Sequence, residues 1–153
     1  MTGSRGPSRE LIWTDTLRAF LARERVAHLA TVNPDGSPHV VPICYAFDGH
    51  RFFSVIDQKP KRVAARQLRR VQNIADRPAV SLVVDHYSEE WTQLGFALVS
   101  GTGEVLWEGD QRETGLELLR NKYPQYREMP LAEQPIICIT PERVTTWGSM
   151  EAE

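Results

Sequence analysis

Positive charge is concentrated in one short part of the sequence. This basic stretch holds seven of the chain's eighteen lysines and arginines, with Asp76 as the acidic residue among them: Lys59, Lys61, Arg62, Arg66, Arg69, Arg70 and Arg77. A helix is predicted over residues 60–76, so that Lys59 and Lys61 stand at its N-terminus. The free amide groups and the dipole at that end of a helix favour anions. The pattern therefore predicts a site for a phosphate group.

Two other interpretations of the basic stretch stay open, a solvated helix face and a contact with nucleic acid. Nucleic-acid binding normally accompanies a basic domain with interleaved aromatic residues. Here the net charge is −2, and no aromatic residue lies between residues 59 and 77. The sequence pI is also low, at about 6.1. We therefore predict that nucleic acid is not a partner.

A proline interrupts the strand predicted over residues 39–47. Pro42 lacks the amide hydrogen that a sheet ladder requires, so it is tolerated on an edge strand or where the backbone faces another group, such as a planar ligand. Both interpretations are open, and the ordinary edge strand is the usual one.

Conventional catalytic motifs are absent from the sequence, including the nucleophile elbow, the Walker loop and the zinc-protease helix. The four histidines share no metal-ligand spacing: His28, His39, His50 and His86. Cys44 and Cys138 stand far apart without a second cysteine nearby, which favours two reduced thiols over a disulfide or a zinc site. We predict no metal site.

Length and composition favour one folded domain. The chain has 153 residues, of which 41% are hydrophobic and 25% charged, as in ordinary folded proteins. Residues 1–10 are rich in Gly, Ser and Pro and are predicted to be a disordered tail, leaving residues 11–150 as the domain. No apolar run approaches the roughly 20 residues of a membrane-spanning helix. The expected location is cytoplasmic, without a membrane partner.

Hydrophobic periodicity predicts the elements that must position these side chains. A helix is predicted from Asp15, with Leu17, Phe20 and Leu21 on its buried face and Thr14 or Asp15 as its cap. In the helix over residues 60–76, one face holds Ala64, Leu68, Val71 and Ala75, and a further helix is predicted over residues 110–123. Runs of β-branched and aromatic residues predict six strands: 26–32, 39–47, 51–57, 79–85, 96–107 and 136–147.

The order of these elements predicts a mainly β fold with flanking helices. The first three strands are expected to form a meander, and Gly101 and Gly103 are expected to mark a bulge or bend. The last strand is expected to be interrupted near Pro141. Because the edges of an antiparallel sheet must be hidden, we expect the sheet to close into a barrel.

Residues 30–42, with the sequence ATVNPDGSPHVVP, resemble the opening hairpin of the pyridoxamine 5'-phosphate oxidase-like family. The resemblance continues in order through residues 51–57, the start of the basic stretch, residues 73–78 and residues 80–85. It covers about residues 15–147. It implies a six-stranded antiparallel split β-barrel that works as a homodimer, with FMN or the deazaflavin coenzyme F420 held at the subunit interface.

Residues 57–61, with the sequence DQKPK, resemble the F420-dependent branch of the family, and the substrate-binding C-terminal segment of the true oxidases is not found. This implies an oxidoreductase that uses coenzyme F420 to pass hydride to a small electron-poor organic acceptor. The alternatives are an FMN-binding oxidoreductase on the same fold, or a non-catalytic binder of a cofactor or a tetrapyrrole. A cofactor that supplies the redox chemistry would explain the missing catalytic motif.

The resemblance also assigns residues to the cofactor by position. Lys59, Lys61 and Arg62 would contact the phosphate, and Arg70 matches another common basic position. The choice among Lys61, Arg62 and Arg70 stays open. The ring system would be lined by two strand segments: Val41, Pro42, Ile43, Val55, Ile56 and Asp57. No catalytic residue is assigned, although Tyr45 or a bound water could supply a proton.

Overall fold

A computed structural model describes residues 11–57 and 64–152. This part of the chain forms seven strands: β1 Ala27–Val32, β2 Pro38–Ile43, β3 Ala46–Phe47, β4 Phe52–Val55, β5 Ala79–His86, β6 Gly95–Leu106 and β7 Ile136–Gly148. It also forms three α-helices: α1 Asp15–Arg23, α2 Arg69–Asp76 and α3 Asp110–Lys122. Three short 3-10 turns complete the list: Ala65–Gln67, Trp91–Gln93 and Pro124–Arg127.

The strands form one antiparallel sheet in the order β2-β1-β5-β6-β7-β4-β3. Side chains from both ends of this order meet in one core, where Phe47 of β3 packs against the cluster that contains Ile43 of β2. The edge strands β2 and β3 share no ladder within the described residues. The sheet therefore curls around its core, and the predicted split β-barrel with flanking helices is confirmed. The expected closure of the sheet is not observed within the described residues, because β2 and β3 remain edge strands.

The first helix forms as its sequence predicts. The Thr14 hydroxyl accepts a hydrogen bond from the Leu17 amide at 3.1 Å, which caps the N-terminus of α1. Leu17, Phe20 and Leu21 are buried. Of the helices within residues 11–57 and 64–152, none has the length and apolar character needed to cross a membrane.

The strand predicted over residues 39–47 is two strands, so the expected count of six becomes seven. β2 pairs with β1, whereas β3 pairs with β4 at the opposite edge, and the predicted meander is wrong. The break occurs at Tyr45, which is fully buried and whose hydroxyl donates to the Leu21 carbonyl at 2.6 Å. The Tyr45 amide donates to the Tyr123 hydroxyl at 3.1 Å instead of to a neighbouring strand.

The helix predicted over residues 60–76 begins later, at Arg69. Leu68 has an extended backbone (φ −65°, ψ 137°), which separates α2 from the preceding 3-10 turn. This shift also changes the buried face. Val71 is buried as expected, but Ala64 and Ala75 are exposed, and the other buried positions are Asn73 and Ile74.

The predicted irregularity at Gly101 is confirmed. The register of β6 on β7 shifts between Ser100 and Gly101, opposite Arg143 and Pro141. A Cβ atom at Gly101 would stand 2.1 Å from the Thr140 carbonyl oxygen. Only glycine therefore permits this close approach of the two backbones.

Candidate functional site

The N-terminus of α2 is an electropositive end without a side-chain cap. Its N-cap residue is Leu68, which cannot accept a hydrogen bond from the first-turn amides through its side chain. Arg69 and Arg70 occupy that first turn. Because the helix begins here, its anion-attracting end lies beside Arg69 and Arg70. Lys59 and Lys61, which the sequence predicts at this end, lie outside the described residues.

Three of the residues predicted to contact a phosphate, Lys59, Lys61 and Arg62, lie outside the described residues. The fourth, Arg70, is half-buried, and its Nε is buried without a hydrogen-bond partner in the described part of the chain. Burial lowers the pKa of Arg70, and Asp57 and Tyr126 act in the opposite direction. A buried donor without an acceptor costs about 1–3 kcal/mol, so an anion that accepted from this Nε would be stabilised.

Asp57 lies just after β4, near Arg70. Its Oδ2 accepts a hydrogen bond from the Tyr126 hydroxyl at 2.7 Å. Burial first, and then the bond to Asp57, raises the pKa of Tyr126 far above its usual value. No ion pair within 4 Å joins Asp57 to Arg70 among the described residues. The structure thus places Asp57 within electrostatic range of Arg70 and adds Tyr126, which the sequence analysis missed.

Val55 and Ile56 precede Asp57, and both side chains are buried. Val55 packs in a smaller cluster beside α3, whereas Ile56 belongs to the main core. The Ile56 amide donates to the Pro135 carbonyl at 3.1 Å. These two side chains therefore build the protein interior.

β2 provides the other three predicted contacts to a ring system. Val41 is half-buried against the core, Pro42 is exposed and Ile43 is buried. β2 is an edge strand of the described sheet, and Pro42 stands opposite His28 of β1. The edge-strand interpretation of Pro42 is confirmed, and the open side of this edge stays available to a ligand or to another chain.

A polar cluster joins β1 and β2 to α2. The Asn73 side-chain amide donates to the Thr31 hydroxyl at 3.0 Å and to the Asn33 side-chain oxygen at 2.9 Å. His39 lies opposite Thr31 in the ladder, and its Nδ1 is buried without a partner within the described ranges. The cluster fixes the buried face of α2, and with it the direction of the helix.

A groove of about 470 Å³ runs along the other side of α2. Arg66 and Arg69 line it together with Asp76 and Trp107, and the Arg66 guanidinium lies 4.0 Å from the centroid of the Trp107 ring.

Arg77, the last residue of the basic stretch, has a structural role outside this groove. It donates to the carbonyl oxygens of Asn33 and Pro34, at 3.2 and 3.1 Å, and so holds the turn between β1 and β2.

Tyr45 is not available as a proton donor. Its side chain is fully buried, its hydroxyl donates to Leu21, and burial raises its pKa well above the usual value. The expectation that Tyr45 could supply a proton is therefore wrong.

Among the residues that the structure describes, no three His, Cys, Asp or Glu side chains gather as metal ligands.

Comparison with known proteins gives a family match over most of the chain. The family model described as pyridoxamine 5'-phosphate oxidase matches residues 13–148. A search of curated proteins finds no significant match.

Several solved structures share the fold at low identity. A conserved hypothetical protein from Mycobacterium tuberculosis is 18% identical with a TM-score of 0.72, covering 94% of this chain and 90% of that one. A structure named F420 reductase is 24% identical with a TM-score of 0.61, covering 84% and 94% of the two chains. A heme binding protein from Mycobacterium smegmatis is 15% identical with a TM-score of 0.70, and the match covers 91% of this chain and 56% of that protein.

Proposed function

The chain belongs to the pyridoxamine 5'-phosphate oxidase family, and from that premise we propose that it is an oxidoreductase that uses coenzyme F420. When bound, the deazaflavin would supply hydride for a small electron-poor organic acceptor. The observation on which this depends is the uncapped N-terminus of α2 beside Arg70, whose buried Nε lacks an acceptor among the residues that the structure describes. Such an arrangement fits a phosphoryl group.

The spread of positive charge favours F420 over FMN. Arg70 and the helix end suffice for one phosphate, and Arg66 and Arg69 line a separate groove beside Trp107. Coenzyme F420 has a carboxylate tail as well as a phosphate, so the two arginines of the groove would be available to the tail while Arg70 binds the phosphate. One solved structure with this fold is named F420 reductase, which agrees with the proposal.

FMN on the same scaffold is the second candidate, because it also presents a phosphate to Arg70. Absorbance spectra separate the two. Protein that is colourless as isolated, binds added F420 and oxidises reduced F420 in the presence of a quinone supports the proposal. Protein that is yellow as isolated and releases FMN on denaturation rejects F420 in favour of FMN.

A non-catalytic binder of a cofactor or tetrapyrrole is the third candidate, and the relative named as a heme binding protein favours it. Turnover distinguishes binding from catalysis. Tight binding of F420 or heme, with no acceptor-dependent oxidation of reduced F420 across a panel of enones and quinones, would establish a binder and reject the enzyme.

We also propose a homodimer, with the cofactor at the subunit interface. An outer sheet patch of apolar side chains supports it: Val40, Pro42, Val83, Phe96, Leu98 and Trp147. The ladders put these residues on one face, because Leu98 lies opposite Val83, and Val83 and Pro42 both lie opposite His28. Val40 is 61% exposed, Trp147 55% and Leu98 40%. A second copy packed on this patch would bury them.

A further inference from the structure

The hydroxyl of Tyr126 is held firmly in place. Tyr126 lies on the 3-10 turn after α3, is 5% exposed, and packs its ring against Tyr123 at 5.5 Å between centroids. Its hydroxyl donates to Asp57 Oδ2 at 2.7 Å. The position of the Asp57 carboxylate is therefore set from the side of α3, by a residue 69 positions further along the chain.

Arg70 lies within electrostatic range of this carboxylate and has an unfilled donor among the described residues. Its Nε is buried and lacks an acceptor among residues 11–57 and 64–152, although Asp57 is close enough to act on it electrostatically. A charge-assisted bond between Arg70 and Asp57 would satisfy that donor, because carboxylates are the natural partners of guanidinium groups. The bond to Tyr126 competes for the same carboxylate.

From this arrangement we propose that Tyr126 restrains Asp57, and that the restraint keeps Arg70 available for a phosphoryl group. The inference rests on the proposed function in that the phosphoryl group belongs to the cofactor. Asp57 is then a competing anion beside the ligand, and Tyr126 is a positioning residue that acts through Asp57. Neither residue needs to touch the ligand.

Inorganic phosphate is the probe, because it tests the anion site whether or not a flavin binds. The NMR signal of the Arg70 Nε–Hε group, assigned by its loss in Arg70→Lys, is followed during a phosphate titration at constant ionic strength. We expect the signal to shift in the wild-type protein. A signal that phosphate leaves unmoved would overturn the proposal.

Four variants resolve the roles of the two residues. Asp57→Asn removes the competing charge and keeps an oxygen for Tyr126, so phosphate should bind more tightly, by about threefold to tenfold. Tyr126→Phe frees the carboxylate to pair with Arg70, so phosphate should bind more weakly by a similar factor. In the double variant the effect of Tyr126→Phe should disappear. Tyr87→Phe is the matched control, because its hydroxyl also donates to a carboxylate, Glu89, at 3.2 Å in an exposed loop.

The outcomes separate this inference from the proposed function. Weaker phosphate binding in both Asp57→Asn and Tyr126→Phe would mean that the pair only supports the fold, and would reject the inference. Equal effects of Tyr126→Phe with and without Asp57→Asn would reject it too. A protein that shows the expected phosphate pattern but binds neither F420 nor FMN would reject the proposed cofactors and leave the roles of Tyr126 and Asp57 standing.

Discussion

At the scale of single residues, Arg112 shows that a buried positive charge can have a structural role. It is 1% exposed, and its Nε and Nη2 donate to the carbonyl oxygens of Leu131, Ala132 and Gln134 at 2.8–3.0 Å. It also pairs with Glu113. Arg112 therefore ties α3 to the segment that enters β7, whereas Arg70 has a buried donor without an acceptor among the described residues.

We expect Arg112→Met to lower the free energy of unfolding by about 2–4 kcal/mol, because the buried Gln134 carbonyl loses both of its bonds from the guanidinium and the Leu131 carbonyl keeps only the bond from the Gln134 amide among the described residues. Urea denaturation followed by circular dichroism measures the change. Arg143→Met, an exposed arginine on β7, is the control and should stay within about 0.5 kcal/mol of wild type. Equal losses in the two variants would contradict the structural role of Arg112.

Lys122 should give stability a specific pH dependence. Burial lowers the pKa of Lys122 from 10.5 to about 8, and its Nζ donates to the Glu24 carbonyl at 2.6 Å. Between these two pH values the unfolded chain holds a proton that the folded chain has lost, so the Lys122 contribution to the free energy of unfolding rises with pH. Urea unfolding of wild type and Lys122→Met between pH 7 and 10 should show a steeper rise in wild type. Parallel curves would show that Lys122 has an ordinary pKa.

At the scale of elements, local patterns predict helices that bury a simple stripe. The spacing of Leu17, Phe20 and Leu21 predicted α1 correctly, and the presence of Gly101 predicted the bulge of β6. The start of α2 escaped prediction because Leu68 and Val71 keep helical spacing although Leu68 is extended. The split of the strand predicted over residues 39–47 could not be predicted either, because the partner of Tyr45 is Tyr123, 78 positions away.

Some features of the candidate site could likewise be predicted from the sequence, and others could not. Its charge could be predicted from composition, because Arg66, Arg69 and Arg70 crowd one short segment. Tyr126 could not, because its only signal is a contact with Asp57 across 69 positions, made by folding. The burial of Val55 and Ile56 depends on how the whole sheet curls, so it could not be predicted from the sequence pattern of one strand.

The packing of α3 on β4 depends on Gly115. A Cβ atom at this position would stand 2.6 Å from Phe53 Cδ1. We expect Gly115→Ala to destabilise the protein by about 1–3 kcal/mol, although alanine is the better helix former, because the added methyl displaces a buried ring. Thr114→Ala, exposed on the same helix, is the control and should be neutral or slightly stabilising in thermal unfolding. A more stable Gly115→Ala would show that α3 can move away from β4.

At the scale of the whole molecule, the outer sheet patch and the open edge of β2 belong to the same side of the barrel. Val40 and Pro42 lie on β2 itself, and the patch continues across β5 and β6 to Trp147, which stacks on Phe96 at 5.8 Å. A second copy seated there would cover the edge strand. It would also stand next to the strand that the family resemblance assigns to the ring system.

We therefore expect Leu98→Asp to convert a dimer into a monomer, because it puts a charge in the middle of the outer sheet patch, opposite Val83. Light scattering after size exclusion measures the mass. Thr102→Asp, exposed on the same strand beyond the patch, is the control and should remain dimeric.

If the cofactor lies between subunits, the monomeric Leu98→Asp variant should also bind F420 at least tenfold more weakly than wild type, which corresponds to about 1.4 kcal/mol. A wild-type protein that is monomeric at all concentrations, or a monomeric variant that binds F420 as well as wild type does, would remove the second subunit from the site.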